Sequence, residues 1–498
     1  PNGSFTEYQR LIASDTNLNA FDHFGASVAI SGNTIVVGAP RYNGSGTDSG
    51  RAYVFEFDTT SCTQDCWSQD AILDDAGVGA EDAFGGAVAI DGTTIVVGAE
   101  NDEVVTTGEG AAYIFIRSGS LWVADTGSPL GPNPPPVGWP PQVQFGGSVA
   151  VSGDLVAVGA EGDDTVANAG AVYIFKRTTG WAKEEKITGQ AGPELFGSAI
   201  DLDGTTLVVG APLATVGGIT YAGEARVYDR ALAGPPWWSL TTTLLPLQAD
   251  NTTPDSGAFD FFGRAVSIDV SGVKEHIIVG APDLPTGTDS GSAYLFQNKG
   301  AGWGQLAKFN ASDAAAADDY GTSVSVGNAA VQVGAKRKDV IQTDDGAVYS
   351  YELTDTDDDG LSDALELKIC NYPGAPLCTN INLADTDGDG TSDFDEIMMS
   401  DTDGDGFTNG DEWLIGSDPF DPTDTPADGD INNDGNVDTA DVLLATRMAT
   451  GLLTPTLEER LRGNVAPLTG GVPTPLDTVI GADDVLLIQR KALGLVNF

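Results

Sequence analysis

The stretch that decides the fold is Phe24-Gly25-Ala26-Ser27-Val28-Ala29-Ile30-Ser31-Gly32-Asn33-Thr34-Ile35-Val36-Val37-Gly38-Ala39. An aromatic-Gly step opens a short alternating strand, a Gly-centred turn reverses it, and a β-branched run ends in Gly-Ala. The step recurs at Phe84-Gly85, Phe145-Gly146, Phe196-Gly197, Phe262-Gly263 and Tyr320-Gly321. The Gly-Ala pair recurs at Gly98, Gly159, Gly210, Gly280 and Gly334, 14 residues after the aromatic in five copies and 18 in the fifth. Copies lie from 51 residues apart (Gly146 to Gly197) to 66 (Gly197 to Gly263). Periods of that size mean a repeat architecture.

Working outward, a third strand of the type Gly-x-Ala-Tyr-x-Phe starts at Gly50, Gly110, Gly170, Gly223, Gly291 and Gly346. A Trp-led segment follows five of the copies, at Trp67, Trp122, Trp181, Trp237 and Trp303. Four short strands per repeat describe one propeller blade, so the chain is expected to be mainly β, with a six-bladed β-propeller over residues 1–353. The sixth copy lacks a Trp-led strand. Phe5 to Ala13 has that character and precedes the first copy, so residues 8–13 are expected to pair with 347–351 and close the ring. The words resemble the FG-GAP repeat of integrin-α-like propellers. That resemblance implies recognition by loops on one face. Integrin-type blades often carry an Asp-rich calcium loop between their first two strands, but here that place holds only tight turns, so calcium binding is not carried over to residues 1–353.

The chain's 498 residues carry 73 acidic and 23 basic side chains, a net charge of −50. Such a surface repels phosphate and anionic lipid, which argues against nucleic-acid partners and membrane insertion. The loops after each Gly-Ala are acidic or neutral, as with Asp102, Glu103, Asp163 and Asp164. The last holds Lys336-Arg337-Lys338, read either as a solvated basic turn or as an assembly contact with an acidic neighbour.

From Asp355 to Asp441 there are 25 acids and one Lys. Four stretches place oxygen donors at positions 1, 3, 5, 7, 9 and 12 with Gly at 6, the spacing of an EF-hand-type calcium loop. They are Asp355, Asp357, Asp359, Leu361, Asp363, Glu366; then Asp385, Asp387, Asp389, Thr391, Asp393, Glu396. The third is Asp401, Asp403, Asp405, Phe407, Asn409, Glu412, and the fourth Asp430, Asn432, Asp434, Asn436, Asp438, Asp441. Position 7 donates its main-chain carbonyl. About four calcium ions are expected. Loops two and three start only 16 residues apart, too close for helix-loop-helix hands. Residues 354–427 therefore resemble thrombospondin type 3-like repeats.

Residues 428–498 resemble a small α-helical dockerin domain. Asp441-Val442-Leu443-Leu444 and Asp484-Val485-Leu486-Leu487 open two amphipathic helices of a duplicated loop-helix module. The second loop departs from the pattern, with Pro473 and Pro475 at ligand places, although Asn464, Asp477 and Asp484 could hold a fifth ion. The resemblance implies a cohesin-like partner.

Cys62 with Cys66, and Cys370 with Cys378, could each close a disulfide loop in an oxidising compartment; the alternative is reduced thiols. Pro1 in place of Met is read as the trace of a removed secretion signal. The sequence shows no catalytic motif. The expected protein is secreted, extracellular or cell-surface, and non-enzymatic. It would be a calcium-stabilised structural or adhesive protein that assembles with its own copies or another extracellular protein, head-to-tail into a filament. One alternative is a propeller docked by its dockerin-like end on a cohesin-bearing scaffold. Another is a propeller glycan hydrolase or lyase.

Overall fold

A computed structural model describes residues 9–15, 22–57, 66–74, 78–102, 109–132, 143–163, 166, 169–231, 234–247, 260–270, 275–282, 290–298, 302–311, 315, 318–327, 330–338 and 346–353 of the repeat region. Beyond it the structure describes 400, 408–409, 429, 431, 437, 439–450, 462–463, 465, 468–469, 472–473, 480 and 482–493. The chain divides into two compact units, Ser4–Tyr351 and Glu352–Phe498, the latter with Pro1–Gly3.

The first unit is a six-bladed propeller. Blade 1 is the antiparallel sheet β1 (Ser27–Ser31), β2 (Thr34–Ala39), β3 (Arg51–Phe57) and β4 (Trp67–Leu73). Blade 2 is β5 (Ala87–Asp91), β6 (Thr94–Ala99), β7 (Ala111–Ser118) and β8 (Leu121–Ala124). Blade 3 is β9 (Phe145–Ser152), β10 (Leu155–Ala160), β11 (Ala171–Arg177) and β12 (Trp181–Thr188). Blade 4 is β13 (Ile200–Asp203), β14 (Thr206–Ala211), β15 (Glu224–Arg230) and β16 (Trp238–Leu244). Blade 5 is β17 (Ala265–Asp269), β18 (Glu275–Ala281), β19 (Ser292–Asn298) and β20 (Trp303–Phe309). Among the described residues, blade 6 has β21 (Tyr320–Val326), β22 (Ala330–Ala335) and β23 (Ala347–Glu352).

The hydrophobic pattern follows from this stacking. Thr94-Ile95-Val96-Val97-Gly98-Ala99 is buried throughout, because β6 is covered on both faces by neighbouring blades. Ile95 and Val97 pack on Val36, Ala52 and Val54 of blade 1, while Val96, Ala112 and Ile114 turn to Phe145 and Val151 of blade 3. From blade 2 to blade 6, each blade thus gives its front face to the back face of its predecessor. The aromatic of the aromatic-Gly step sits inside each seam. Phe84 meets Tyr113 and Phe115 edge-on at 5.2 and 6.2 Å, and Phe145 meets Tyr173 and Phe175 at 5.3 and 6.1 Å. Truncating such a ring would cost about 3–5 kcal/mol.

In blades 1 to 5 the Gly of the Gly-Ala pair is required by a close approach to the next blade. A Cβ on Gly98 would lie 2.0 Å from the carbonyl oxygen of Gly146, and one on Gly210 2.0 Å from that of Gly263. Small residues therefore let one blade's second strand touch the next blade's backbone. Side chains stitch the opposite end of the seams: Ser31 Oγ accepts from Gly92 N–H at 3.0 Å, and Asp203 Oδ2 from Val270 N–H at 2.8 Å.

The expected ring closure is corrected. Residues 9–15 do not pair with β23. They run along blade 1, where the Gln9 amide exchanges two hydrogen bonds with the Trp67 backbone at 2.7 and 2.8 Å. Ser14 N–H donates to Gln69 Oε1 at 2.8 Å, and Ala13 packs against Val37, Tyr53 and Phe55. Ser14 meets Gln69 as Leu247, just after the outer strand of blade 4, meets Gln305 of blade 5, so the segment holds the place of an outer strand standing before blade 1. Ala13, with Leu11 packed beside it, supplies the apolar contact that holds the segment there.

In the second unit, α1 (Thr439–Ala449) and α2 (Ala482–Ala492) pack together around Ile431, Ala445, Met448, Val465, Ile480 and Ile488. β24 (Leu468–Thr469) and β25 (Val472–Pro473) form a small hairpin. No helix among the described residues is long and apolar enough to cross a membrane.

Candidate functional site

The loops between the second and third strands of each blade share their construction. Each leaves at Gly-Ala and returns at a glycine with φ between +76° and +86°: Gly50, Gly110, Gly170, Gly223, Gly291 and Gly346. That region favours Gly because a Cβ would crowd the following carbonyl.

Polar anchors hold the loop roots. Tyr173 donates its hydroxyl to Asp163 Oδ2 at 2.6 Å, and Lys186 Nζ lies 2.6 Å from the same oxygen. Tyr113 donates to Asp102 in the same way, and in blade 1 Tyr53 donates to Asp15 of the N-terminal segment at 2.7 Å. Burial first, and the partnering carboxylate second, push the Tyr53 and Tyr173 hydroxyls well above the usual phenol range. In blade 4, Arg226 grips both oxygens of Glu194 at 3.0 Å and also bonds Glu224.

Two acids read as recognition charges are therefore interior. Asp102 and Asp163 are buried, since a carboxylate this deep needs donors and the Tyr hydroxyls supply them. Glu103 and Asp164 lie outside the described residues. The basic run is divided as well. Lys338 is buried with Nζ 3.0 Å from Asp318, Arg337 Nε lies 3.1 Å from Asp319, and Lys336 is exposed. Lys338 stands third after its Gly-Ala pair, as Asp102 and Asp163 do after theirs. It is an anchor of the opposite sign, and only Lys336 and the half-exposed Arg337 of the run reach the surface.

One pair of carboxylates has a different character. Glu100 and Glu161 each follow a Gly-Ala pair, on adjacent blades. Burial raises both above the ordinary carboxylate value; for Glu161, Arg264 of blade 5 pulls back down and Glu100 adds to the rise. A Cβ on Gly147 would lie 3.3 Å from Glu100 Oε2, so Gly147 leaves that carboxylate its room. The motif scan missed this pair, because a lone Glu after Gly-Ala resembles any surface acid. Raised carboxylates of this kind, one of them facing a guanidinium, are candidates to hold a proton near neutral pH. Among the described residues, no group of three or more His, Cys, Asp or Glu is arranged to hold a metal ion.

Of the expected calcium ligands, only Asn409 and Asp441 are described; the others lie outside the described residues. Asn409 is fully buried, its N–H donating to Ser400 O at 2.7 Å and its Nδ2 to Ser400 Oγ at 3.1 Å. Asp441 is fully buried in the first turn of α1, and Asp484 is buried at the matching place in α2. Buried carboxylates and an amide are hard oxygen donors, which fits calcium. Of the cysteines only Cys66 is described; it is buried and is not a free thiol.

Six radially stacked antiparallel sheets define a β-propeller. Its sequence matches the FG-GAP repeat at residues 5–55, 67–115, 141–175, 247–296 and 303–351, and the bacterial TSP3 repeat at 355–369 and 401–422. Five stretches of this chain thus match the FG-GAP repeat, and two stretches after them match the bacterial TSP3 repeat. The matched FG-GAP stretches leave out residues 176–246, where blade 4 nevertheless folds like its neighbours. There Asp201 stands where blades 1 to 3 have Ala29, Ala89 and Ala150. No curated protein matches the sequence. Among solved structures, the periplasmic gluconolactonase PpgL of Pseudomonas aeruginosa is similar over 66% of this chain and 85% of its own, at 14% identity and a TM-score of 0.36. That likeness is too loose to inform function.

Proposed function

We propose that this is a secreted, calcium-stabilised, non-enzymatic protein of the cell surface or extracellular space, whose propeller binds other proteins and whose acidic tail serves assembly. One coincidence carries the reading. The two bacterial TSP3 matches fall on the loops at Asp355–Glu366 and Asp401–Glu412, whose oxygen-donor spacing by itself suits calcium. Calcium would neutralise and order a segment that otherwise repels itself. Disulfides Cys62–Cys66 and Cys370–Cys378 belong to the same proposal, as does head-to-tail assembly with other copies. The test is limited proteolysis of the full chain with calcium and with chelator. Resistance of residues 355–441 that depends on calcium supports the reading, and equal resistance in both overturns it.

A second reading has its own observation. Leu443 of α1 and Leu486 of α2 hold equivalent places in the duplicated word, and both are exposed. A matched pair of exposed leucines favours docking on a cohesin-like module through either helix. Capture by an immobilised cohesin that Leu443→Ser with Leu486→Ser abolishes would favour this reading.

A further inference from the structure

The propeller has a beginning and an end that do not meet. Among the described residues, the strands of blade 6 make no packed interface with those of blade 1. Ile30 on the front face of blade 1 is 62% exposed, yet its equivalents Ile90, Val151, Leu202, Ile268 and Val326 are exposed by 4–9%. Val28 beside it is 60% exposed. Around Gly25 an added Cβ would meet nothing within 4 Å, whereas at Gly85 it would lie 2.5 Å from the oxygen of Arg51, in the preceding blade. The opposite end mirrors this. Val348 of β23 is 74% exposed, while Ala52, Ala112, Val172, Ala225 and Ala293 at the same place are wholly buried. Among the described residues, β23 also lacks the outer strand that every other blade has.

We propose that these two surfaces together receive a partner polypeptide carrying one further blade-forming repeat, an outer strand followed by three inner strands. What is missing decides its form. β23 lacks an outer strand. Residues 9–15 already occupy the outer-strand place before blade 1, and what they lack is the three inner strands that would cover Val28 and Ile30. Read in chain order, that complement is one repeat, in the order in which this chain writes its own. The five existing seams supply the binding chemistry, continued without change. The partner's second strand ends in Gly where it meets the Gly25 backbone, as Gly38 meets Gly85 with 2.0 Å left for a Cβ. Its inner strands present small aliphatic side chains to Val28 and Ile30, and its outer strand adds main-chain hydrogen bonds along β23. The back face of blade 6 bears Gln332 where blade 5 bears Ile278, and Gln332 is exposed while Ile278 is buried. Such a face tolerates water while it waits for a partner.

This names a partner for the propeller and rests on the reading of it as an interaction module. The experiment uses the full chain with Ile30→Cys or Val348→Cys and follows thiol labelling, with the unaltered chain labelled in parallel. The probe is a separate polypeptide of residues 303–351, which has the required order of strands. Because a lone repeat can fail to fold, the same repeat fused ahead of Pro1 by a flexible linker is the second probe. Slowing of labelling at both positions by tenfold or more, with either probe, is expected. Unchanged labelling with both probes overturns the proposal. Slow labelling before any probe is added also overturns it, in favour of ring closure by blade 6 if the chain is monomeric, or of a second copy if it is dimeric. Calcium-dependent proteolysis of the tail, read on the same samples, fails or holds independently.

Discussion

Tyr173 donates its hydroxyl to Asp163 Oδ2 at 2.6 Å, within a seam where both side chains are almost wholly buried. The carboxylate also faces Lys186, so one acid ties the root of a loop to the third and fourth strands of its own blade. Held by both partners, this acid braces the root of the loop.

Tyr173→Phe removes the donor and leaves Asp163 with its lysine. Hydrogen bonds to charged groups contribute about 1.5–3 kcal/mol, so a loss of about 2 kcal/mol is expected in urea unfolding. Asp163→Ala should cost more, because it strands both a buried hydroxyl and the Lys186 ammonium. Equal midpoints for Tyr173→Phe and the unaltered chain would show that the pair contributes nothing.

Gly98→Ala tests the seams. Its Cβ would meet the Gly146 backbone at 2.0 Å, and a backbone atom cannot swing away. A loss of about 3 kcal/mol or failure to fold is expected. At Gly334 the first obstacle is Ser323 Oγ at 2.3 Å, a side chain that can rotate. Gly334→Ala should therefore cost well under half as much. Equal losses in the two variants would remove the close approach as the reason for these glycines.

The contrast between those glycines shows what the sequence could convey. Six aromatic-Gly steps, six Gly-Ala pairs and the Trp-led strands made the blades legible, because each blade solves the same packing problem with the same residues. Turn glycines were legible too, Gly32 at φ +56° and Gly92 at +51° among them. The destination of residues 9–15 was not. Their alternation suits an outer strand, but it does not say which blade the strand will join, and packing on Val37 and Phe55 decided that. Nor could His23, Ala83, Gln144, Leu195, Phe261 and Asp319 be recognised as left-handed, although each precedes the aromatic-Gly step with φ between +50° and +57°. Six such unlike residues share no local preference, so tertiary packing imposes the conformation. The interior role of Asp102 and Asp163 was hidden because a loop acid reads as solvated until its tyrosine is placed opposite.

Glu161 makes stability depend on pH in a definite sense. Burial raises its folded value above the ordinary 4.5, Arg264 only partly opposes this, and Glu100 adds to it. The folded state therefore holds that proton more tightly than the unfolded chain. The carboxylate destabilises the fold fully above the raised value, and the penalty fades as pH falls through that value toward 4.5. Glu161→Gln should raise the Tm at pH 7.5, and the gain should shrink steadily on acidification below the raised value. A gain that stayed constant with pH would assign the effect to packing instead of charge.

The calcium loops predict a graded result. Between Asp355 and Asp441 the net charge is −24, and four calcium ions would supply +8 at fixed points. The twelfth residue of each loop contributes a carboxylate that can bind with both oxygens, so Gln there removes charge and one ligand together. Glu366→Gln, Glu396→Gln and Glu412→Gln should each weaken one site by about tenfold or more, equivalent to about 1.4 kcal/mol. Calorimetric titration of the full chain should then show one weak site among otherwise unchanged ones, a different one in each variant. A uniform fall across all sites would mean that the acids act only through general charge. Unchanged stoichiometry and affinity in all three variants would rule these loops out as the ligands.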